Sequence, residues 1–212
     1  VFVRVSETTI QNVKWQIKSR WYPGRNVPTT SDNLYLSSMS TVSRHYHVIG
    51  LMSGTSMDGL DIALCRFELQ GEQWSYAILA AETLPYTSDW LVRLQSLPEL
   101  TGEELMAEHA AYGNFLGQAV CDFQKRHPHS VDFVASHGHT VFHQPDRGFT
   151  FQAGAGSAIA AVCGLPVVSD FRTADVAMGG QGAPLVPIGD RLLFSPFDAC
   201  LNLGGIGNIS FE

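Results

Sequence analysis

The sequence VIGLMSGTSMDGLDIAL at residues 48–64 constrains the fold more than any other stretch, because two apolar runs there enclose a short polar loop. Val48, Ile49, Leu51 and Met52 before the loop, and Leu60, Ile62, Ala63 and Leu64 after it, predict two strands joined by a tight reversal. Between them stand Ser53, Gly54, Thr55, Ser56, Met57, Asp58 and Gly59. Glycines allow close backbone approach, free N–H groups and hydroxyls donate hydrogen bonds, and an aspartate can hold a hydrated divalent cation, so the composition suits an anion site. The same residue types make ordinary turns, and the local pattern leaves both readings open. The loop carries neither Gly-Lys-Ser/Thr nor G-x-G-x-x-G, so nucleotide binding here would need a scaffold different from those two.

With 212 residues, 45% of them hydrophobic, the chain can bury a core as one large domain, or as one domain and part of another. Charge is uneven: residues 1–44 carry six Lys/Arg against two Asp/Glu, and residues 45–212 carry seven against eighteen. An acidic globular part argues against a broad nucleic-acid surface. Cys65, Cys121, Cys163 and Cys200 are widely spaced with no C-x-x-C pair, which favours reduced thiols over disulfides and a cytoplasmic setting. No apolar run reaches the ~20 residues that span a bilayer, and no secretory h-region is seen, so no membrane partner is expected.

Residues 1–44 read as irregular, with a short strand over 1–5, a marginal helix over 10–17 and a Ser/Thr-rich tract after Pro28. They are either an added leader, with Met39 as the natural start, or a flexible appendage. Beyond Tyr46 a third strand over 74–84 follows the turn at Gln70-Gly71-Glu72, giving three adjacent antiparallel strands. A short helix is expected over 88–97. A longer one starts at Thr101 as N-cap with Glu104 as capping-box partner, presents Leu105, Tyr112, Leu116, Ala119 and Phe123 on one face, and ends at Lys125-Arg126-His127. Next come a buried strand over 131–135, a polar loop over 136–140, a strand over 149–152, a helix over 157–163 and a strand over 166–169. A helix over 186–194 then leads to a second strand, Gly-rich turn and strand at 199–211, echoing the opening hairpin.

Three places hold candidate chemistry besides the opening loop. His137, His139 and His143 admit a metal reading, although their spacing fits no zinc signature and loop histidines more often donate hydrogen bonds. Arg172 lies among Asp170 and Asp175, either as a structural ion pair or to orient an anionic or hydroxyl-rich ligand. The run Gly179-Gly180-Gln181-Gly182 demands a loop of special backbone geometry.

Taken in order, Gly50-Leu51-Met52-Ser53-Gly54-Thr55-Ser56-Met57-Asp58-Gly59, Ser136-His137-Gly138, Asp170-Phe171-Arg172, the stretch from Gly179 to Pro187, and Asn202-Leu203-Gly204-Gly205 resemble the motifs of the anhydro-N-acetylmuramic acid kinases. These belong to the sugar kinase, actin and heat-shock-chaperone ATPase superfamily, and the resemblance covers residues 46–212. It implies an α/β fold: a ribonuclease-H-like (actin-like ATPase) domain with a mixed sheet over 45–196, after the leader 1–44, and the first hairpin of a truncated second such domain over 197–212. It further implies ATP and Mg²⁺ as cofactors, a small-molecule sugar as partner, and cleavage of the 1,6-anhydro bond with phosphorylation of O6. Gly54, Thr55, Ser56, Met57, Asp58, Gly59, Leu60 and Asp61 would then cradle the ATP phosphates, with Asp58 near Mg²⁺ through water and Gly204 and Gly205 approaching from the second domain. Arg172, Asp170, His137, Gly180 and Gln181 would border the sugar.

Phosphoryl transfer needs positioning and charge neutralisation rather than a covalent nucleophile, which agrees with that residue set. The sequence departs from many relatives at His139, where they have Gln, and at Thr173 and Ala174, where they have further arginines. In the family the water-activating aspartate follows the second hairpin, hence beyond Glu212, so no catalytic residue is assigned and the isolated chain is expected to be inactive. Two alternatives are a non-catalytic sugar- or phosphate-binding remnant and a metal hydrolase built on the three histidines. An exposed strand edge after Phe211 makes a homodimer an expectation.

Overall fold

The computed structural model describes residues 43–54, 56–202 and 208–211. Expectations for residues 1–42, including the short strand and marginal helix, lie outside the described residues, as do Thr55, Gly204 and Gly205.

Period-two burial builds the first hairpin. Strand β1 (Arg44–Ser53) buries Val48, Ile49 and Leu51, and β2 (Leu60–Gln70) buries Leu60, Ile62 and Leu64. They pair antiparallel from Arg44 opposite Leu69 to Ser53 opposite Leu60. Strand β3 (Gln73–Leu84) continues the meander against β2. The parallel part comes from β4 (Phe133–Gln144), which pairs with β1 on one side and with β6 (Val167–Ser169) on the other. Strand β5 (Phe149–Ala153) folds back antiparallel on the distal half of β4, giving the order β3-β2-β1-β4-β5. This mixed α/β sheet is the architecture that the resemblance implies.

Helix α1 (Ser88–Ser96) and the 25-residue α2 (Gly102–Arg126) cross over to β4. The expected capping box is present: Glu104 N–H donates to Thr101 Oγ1 at 3.4 Å, and Thr101 N–H to Glu104 Oε2 at 2.9 Å. Tyr112, Leu116, Val120 and Phe123 along α2 are each at most 1% exposed against Ile49, Leu64 and Val134 of the sheet. Burial of each such aliphatic or aromatic group contributes about 1.5–3 kcal/mol, so this helix–sheet layer is a substantial stabilising contact. Helices α3 (Gly156–Cys163), α4 (Thr173–Ala177) and α5 (Val186–Leu193) follow; the short α4 was not expected. Strands β7 (Ala199–Asn202) and β8 (Asn208–Phe211) form a separate two-stranded sheet.

One expectation is overturned. The polar stretch 136–140 is not a loop: β4 runs through it without a break, and Ser136, His137 and His139 are at most 4% exposed. Neighbouring strands on both sides satisfy its backbone, which lets a polar sequence stay extended in the interior. Gly138 makes the irregularity possible: its φ of +72° and the approach of Ala153 O to within 2.5 Å of where a Cβ would stand admit only glycine.

Candidate functional site

Strands β1, β4 and β6 run parallel, and their carboxyl ends bring two polar segments to one edge of the sheet, the usual ligand position of an α/β sheet. The first is the loop between β1 and β2. Met57 N–H donates to Gly54 O at 3.2 Å, closing a turn, and Met57 takes a positive φ of 56°. Ser56 Oγ donates to Asp58 Oδ1 at 2.8 Å, and Thr83 Oγ1 of β3 to Asp61 Oδ1 at 2.6 Å. Both carboxylates remain exposed with a second oxygen to offer. Gly59 is pressed against β3, where Leu84 O would stand 2.8 Å from a Cβ, and Leu60 is fully buried in the core. Leu60 therefore offers the edge only its backbone.

Beneath this loop runs a buried hydrogen-bonded chain. Tyr86 OH donates to Ser53 Oγ at 2.8 Å, Ser53 Oγ and His139 Nδ1 share a hydrogen bond at 2.9 Å, and Tyr112 OH donates to Tyr86 OH at 2.7 Å. Burial lowers the His139 pKa and so favours the neutral ring. Burial likewise pushes the Tyr86 and Tyr112 hydroxyls up, keeping both neutral. Sequence reasoning missed this chain. Tyr112 showed only as part of an apolar helix face, and Tyr86 gave no signal; the available clue was that a buried tyrosine hydroxyl needs a partner.

The second segment, residues 170–187, is anchored differently. Arg172 donates from Nε and Nη2 to His137 Nε2 at 3.1 and 2.9 Å and from Nη1 to Gly182 O. Because His137 Nδ1–H donates to Gly138 O at 2.9 Å, Nε2 holds the lone pair that the guanidinium needs. Burial first, and then the Arg172 charge, push the His137 pKa down to about 4, so the ring is neutral at pH 7. Asp175 Oδ2 accepts from Gly182 N–H at 2.7 Å, and Asp170, at φ 58°, accepts from the N–H and hydroxyl of Thr173 to start α4. Neither aspartate bonds to Arg172, whose donors go to His137 and Gly182 O, which corrects the ion-pair reading. Gly180 and Gln181 lie in the loop so held, with Gln181 exposed.

Among the described residues no three His, Cys, Asp or Glu side chains converge on a metal position. His137, His139 and His143 bond separately, to Arg172, Ser53 and Thr150. Beside His137 lies a cavity of about 200 Å³ lined also by Ser136, Gln152, Asp170, Thr173 and His109, the last a residue of α2 that no motif singled out.

A sequence profile described as anhydro-N-acetylmuramic acid kinase matches residues 46–211. The chain belongs to this family. Anhydro-N-acetylmuramic acid kinase of Microcystis aeruginosa is 43% identical over 176 residues, covering 77% of this chain and 46% of the relative. The namesake proteins of Pseudomonas putida and Pseudoalteromonas translucida are 42% and 36% identical, covering 76% and 77% of this chain. The chain thus spans slightly less than half the length of these relatives, 45–46%. The family match agrees with the mixed α/β architecture described above.

Proposed function

We propose that the protein carrying this chain is an ATP-dependent kinase of 1,6-anhydro-N-acetylmuramic acid, in which water adds at C1, the 1,6-anhydro bond breaks, and the γ-phosphoryl group of ATP passes to O6. The observation that carries this reading, beyond family membership, is the loop of residues 53–61 at the carboxyl edge of the parallel strands, with Asp58 and Asp61 exposed and bonded only to hydroxyls.

In this reading the turn of Gly54, Thr55, Ser56, Met57 and Gly59, with Leu60 and Asp61 at its end, cradles the phosphates, while Gly204 and Gly205 serve from the second hairpin. The donor set fits Mg²⁺, which keeps most of its waters and takes one or two carboxylates; Asp58, acting through water, would hold it, with Asp61 behind. Bound there, Mg²⁺ supplies neutralisation of the charge that develops on the phosphoryl oxygens. Asp170, His137, Arg172, Gly180 and Gln181 border the sugar, Arg172 acting mainly by fixing the 179–184 loop. Residues 45–196 are the first domain in this reading and residues 197–212 the start of a second. The four free cysteines fit a cytoplasmic setting, and among the described residues no helix is long and apolar enough to cross a membrane. Exposed Leu201, Ile209 and Phe211 on β7–β8 are the surface for self-association, which sedimentation measures directly.

The test is a coupled ADP-release assay with ATP, Mg²⁺ and the anhydro sugar, on this chain and on one extended to the length of its relatives. Sugar-dependent ADP release from the extended protein, abolished by Asp58→Ala, supports the reading. Saturable sugar binding without ADP release in either protein indicates a binding module instead, and stoichiometric zinc in an active protein would favour the hydrolase.

A further inference from the structure

The hairpin of β7 and β8 meets the helix before it with its polar face. Cys200 lies opposite Ser210 in its register and Leu201 opposite Ile209, so alternation puts Cys200 and Ser210 on one face and Leu201, Ile209 and Phe211 on the other. The three apolar residues are 58–76% exposed, whereas Ser210 is half-buried and its hydroxyl donates to Asp190 Oδ2 of α5. Cys200 lies beside the same carboxylate: loss of hydration first, and then the Asp190 charge, push its thiol up. A two-stranded hairpin is marginal by itself, and apolar burial is not what seats this one. A charge-assisted hydrogen bond does, a contact that adds direction as well as energy.

Helix α5 is itself fixed at both ends. Its first residue, Val186, follows two positions after Pro184, at the end of the loop that Arg172 and Asp175 hold through Gly182. Just past its last turn, Phe194 N–H donates to Asp190 O at 2.8 Å, and the Phe194 ring meets Tyr76 of β3 edge to face, with centroids 5.6 Å apart. Asp190 therefore stands on a helix whose amino end continues the 179–184 loop and whose carboxyl end is docked on the sheet. A shift of this helix would carry the loop and the hairpin together.

We infer that Asp190 is a positioning residue for phosphoryl transfer: by holding Ser210 it sets the hairpin whose turn carries Gly204 and Gly205 at a fixed place relative to the loop of residues 179–184. The inference rests on the kinase reading given above for what the two loops bind, and on the Asp190–Ser210 contact for how they are held together. The part played by Asp190 is geometric. Transfer between two bound groups is sensitive to their placement, and an error of about 1 Å can cost on the order of 100-fold in rate.

The test uses Asp190→Ala, Ser210→Ala, the double variant, and Asp190→Asn, which keeps an oxygen acceptor for Ser210. In this chain without ligand, amide hydrogen exchange across residues 199–202 and 208–211 is expected to quicken tenfold or more in both single alanine variants, by no more than that in the double one, and by less than threefold in Asp190→Asn, with β1 and β4 unchanged. In the protein extended to the length of its relatives, the alanine variants are expected to lower kcat/KM for ATP tenfold or more while the KM for the sugar stays within twofold, and Asp190→Asn to restore most of the loss. A side chain that served stability alone would not split the two constants. Unchanged exchange in either alanine variant, effects that multiply in the double one, a loss confined to the KM for the sugar, or full activity of the alanine variants overturns the inference. No sugar-dependent ADP release from the unaltered extended protein breaks the kinase reading instead, and the exchange measurements then still decide whether Asp190 seats the hairpin.

Discussion

The 53–61 loop hangs between β1 and β2 on hydroxyl contacts and turns Asp58 and Asp61 to solvent, whereas the 170–187 segment spends Arg172 and Asp175 on its own backbone. Both segments are rich in glycine and charge, and their sequences give no hint that the two would differ. A charged group bonded to a backbone N–H or C=O is already satisfied and serves to hold shape. One with free oxygens at a strand end remains available to a ligand. The first segment is thus built to bind and the second to position, and Gly138 and His139 beneath them join the two.

That shared foundation gives the largest expected effect. Gly138→Val places a Cβ against Ala153 O at a left-handed φ and should cost about 3 kcal/mol or more, disturbing both segments together. A variant of unchanged urea midpoint would show that the bulge is not structural.

The remaining predictions separate the two. His137, whose pKa falls from 6.5 to about 4 on folding, stays unprotonated in the native state while the unfolded chain takes up a proton below pH 6.5. Stability present above pH 6.5 is therefore lost as the pH falls towards 4, by an amount on the order of 3 kcal/mol from this group. Urea midpoints across that range should show the loss, reduced in His137→Gln. Arg172→Ala leaves the His137 lone pair and Gly182 O without their donor and should cost about 2–3 kcal/mol in unfolding free energy. An effect below about 0.5 kcal/mol would mean that Arg172 belongs to ligand binding rather than to loop shape. Tyr86→Phe removes the donor to Ser53 and the acceptor for Tyr112 and is expected to cost about 1–2 kcal/mol, with amide exchange quickened in the 53–61 loop and unchanged in the 170–187 segment.

Much of the fold was legible because its signals are local. The capping box at Thr101, the alternation through β1 and β2 and the Lys125-Arg126 ending of α2 each carry their own physics within a few residues. The 136–140 stretch misled because its backbone is paired with strands distant in sequence, which no local window contains. The same holds for the site. The Gly/Ser/Asp composition pointed to the first loop, but the Tyr86–Ser53–His139 contacts span 33 and 86 residues, and the pairing of Arg172 with His137 spans 35. His109 was invisible because only the crossing of α2 over β5 brings it to the wall of the cavity.

The central claim is that the 53–61 loop receives the phosphates, and titration of ¹⁵N-labelled chain with Mg·ATP, followed by two-dimensional amide NMR, tests it most directly. The account predicts saturable shifts concentrated at Gly54 to Asp61, lost in Asp58→Ala while its melting midpoint stays within the equivalent of about 0.5 kcal/mol of wild type. Shifts centred on residues 170–187, or unchanged binding by Asp58→Ala, would contradict it.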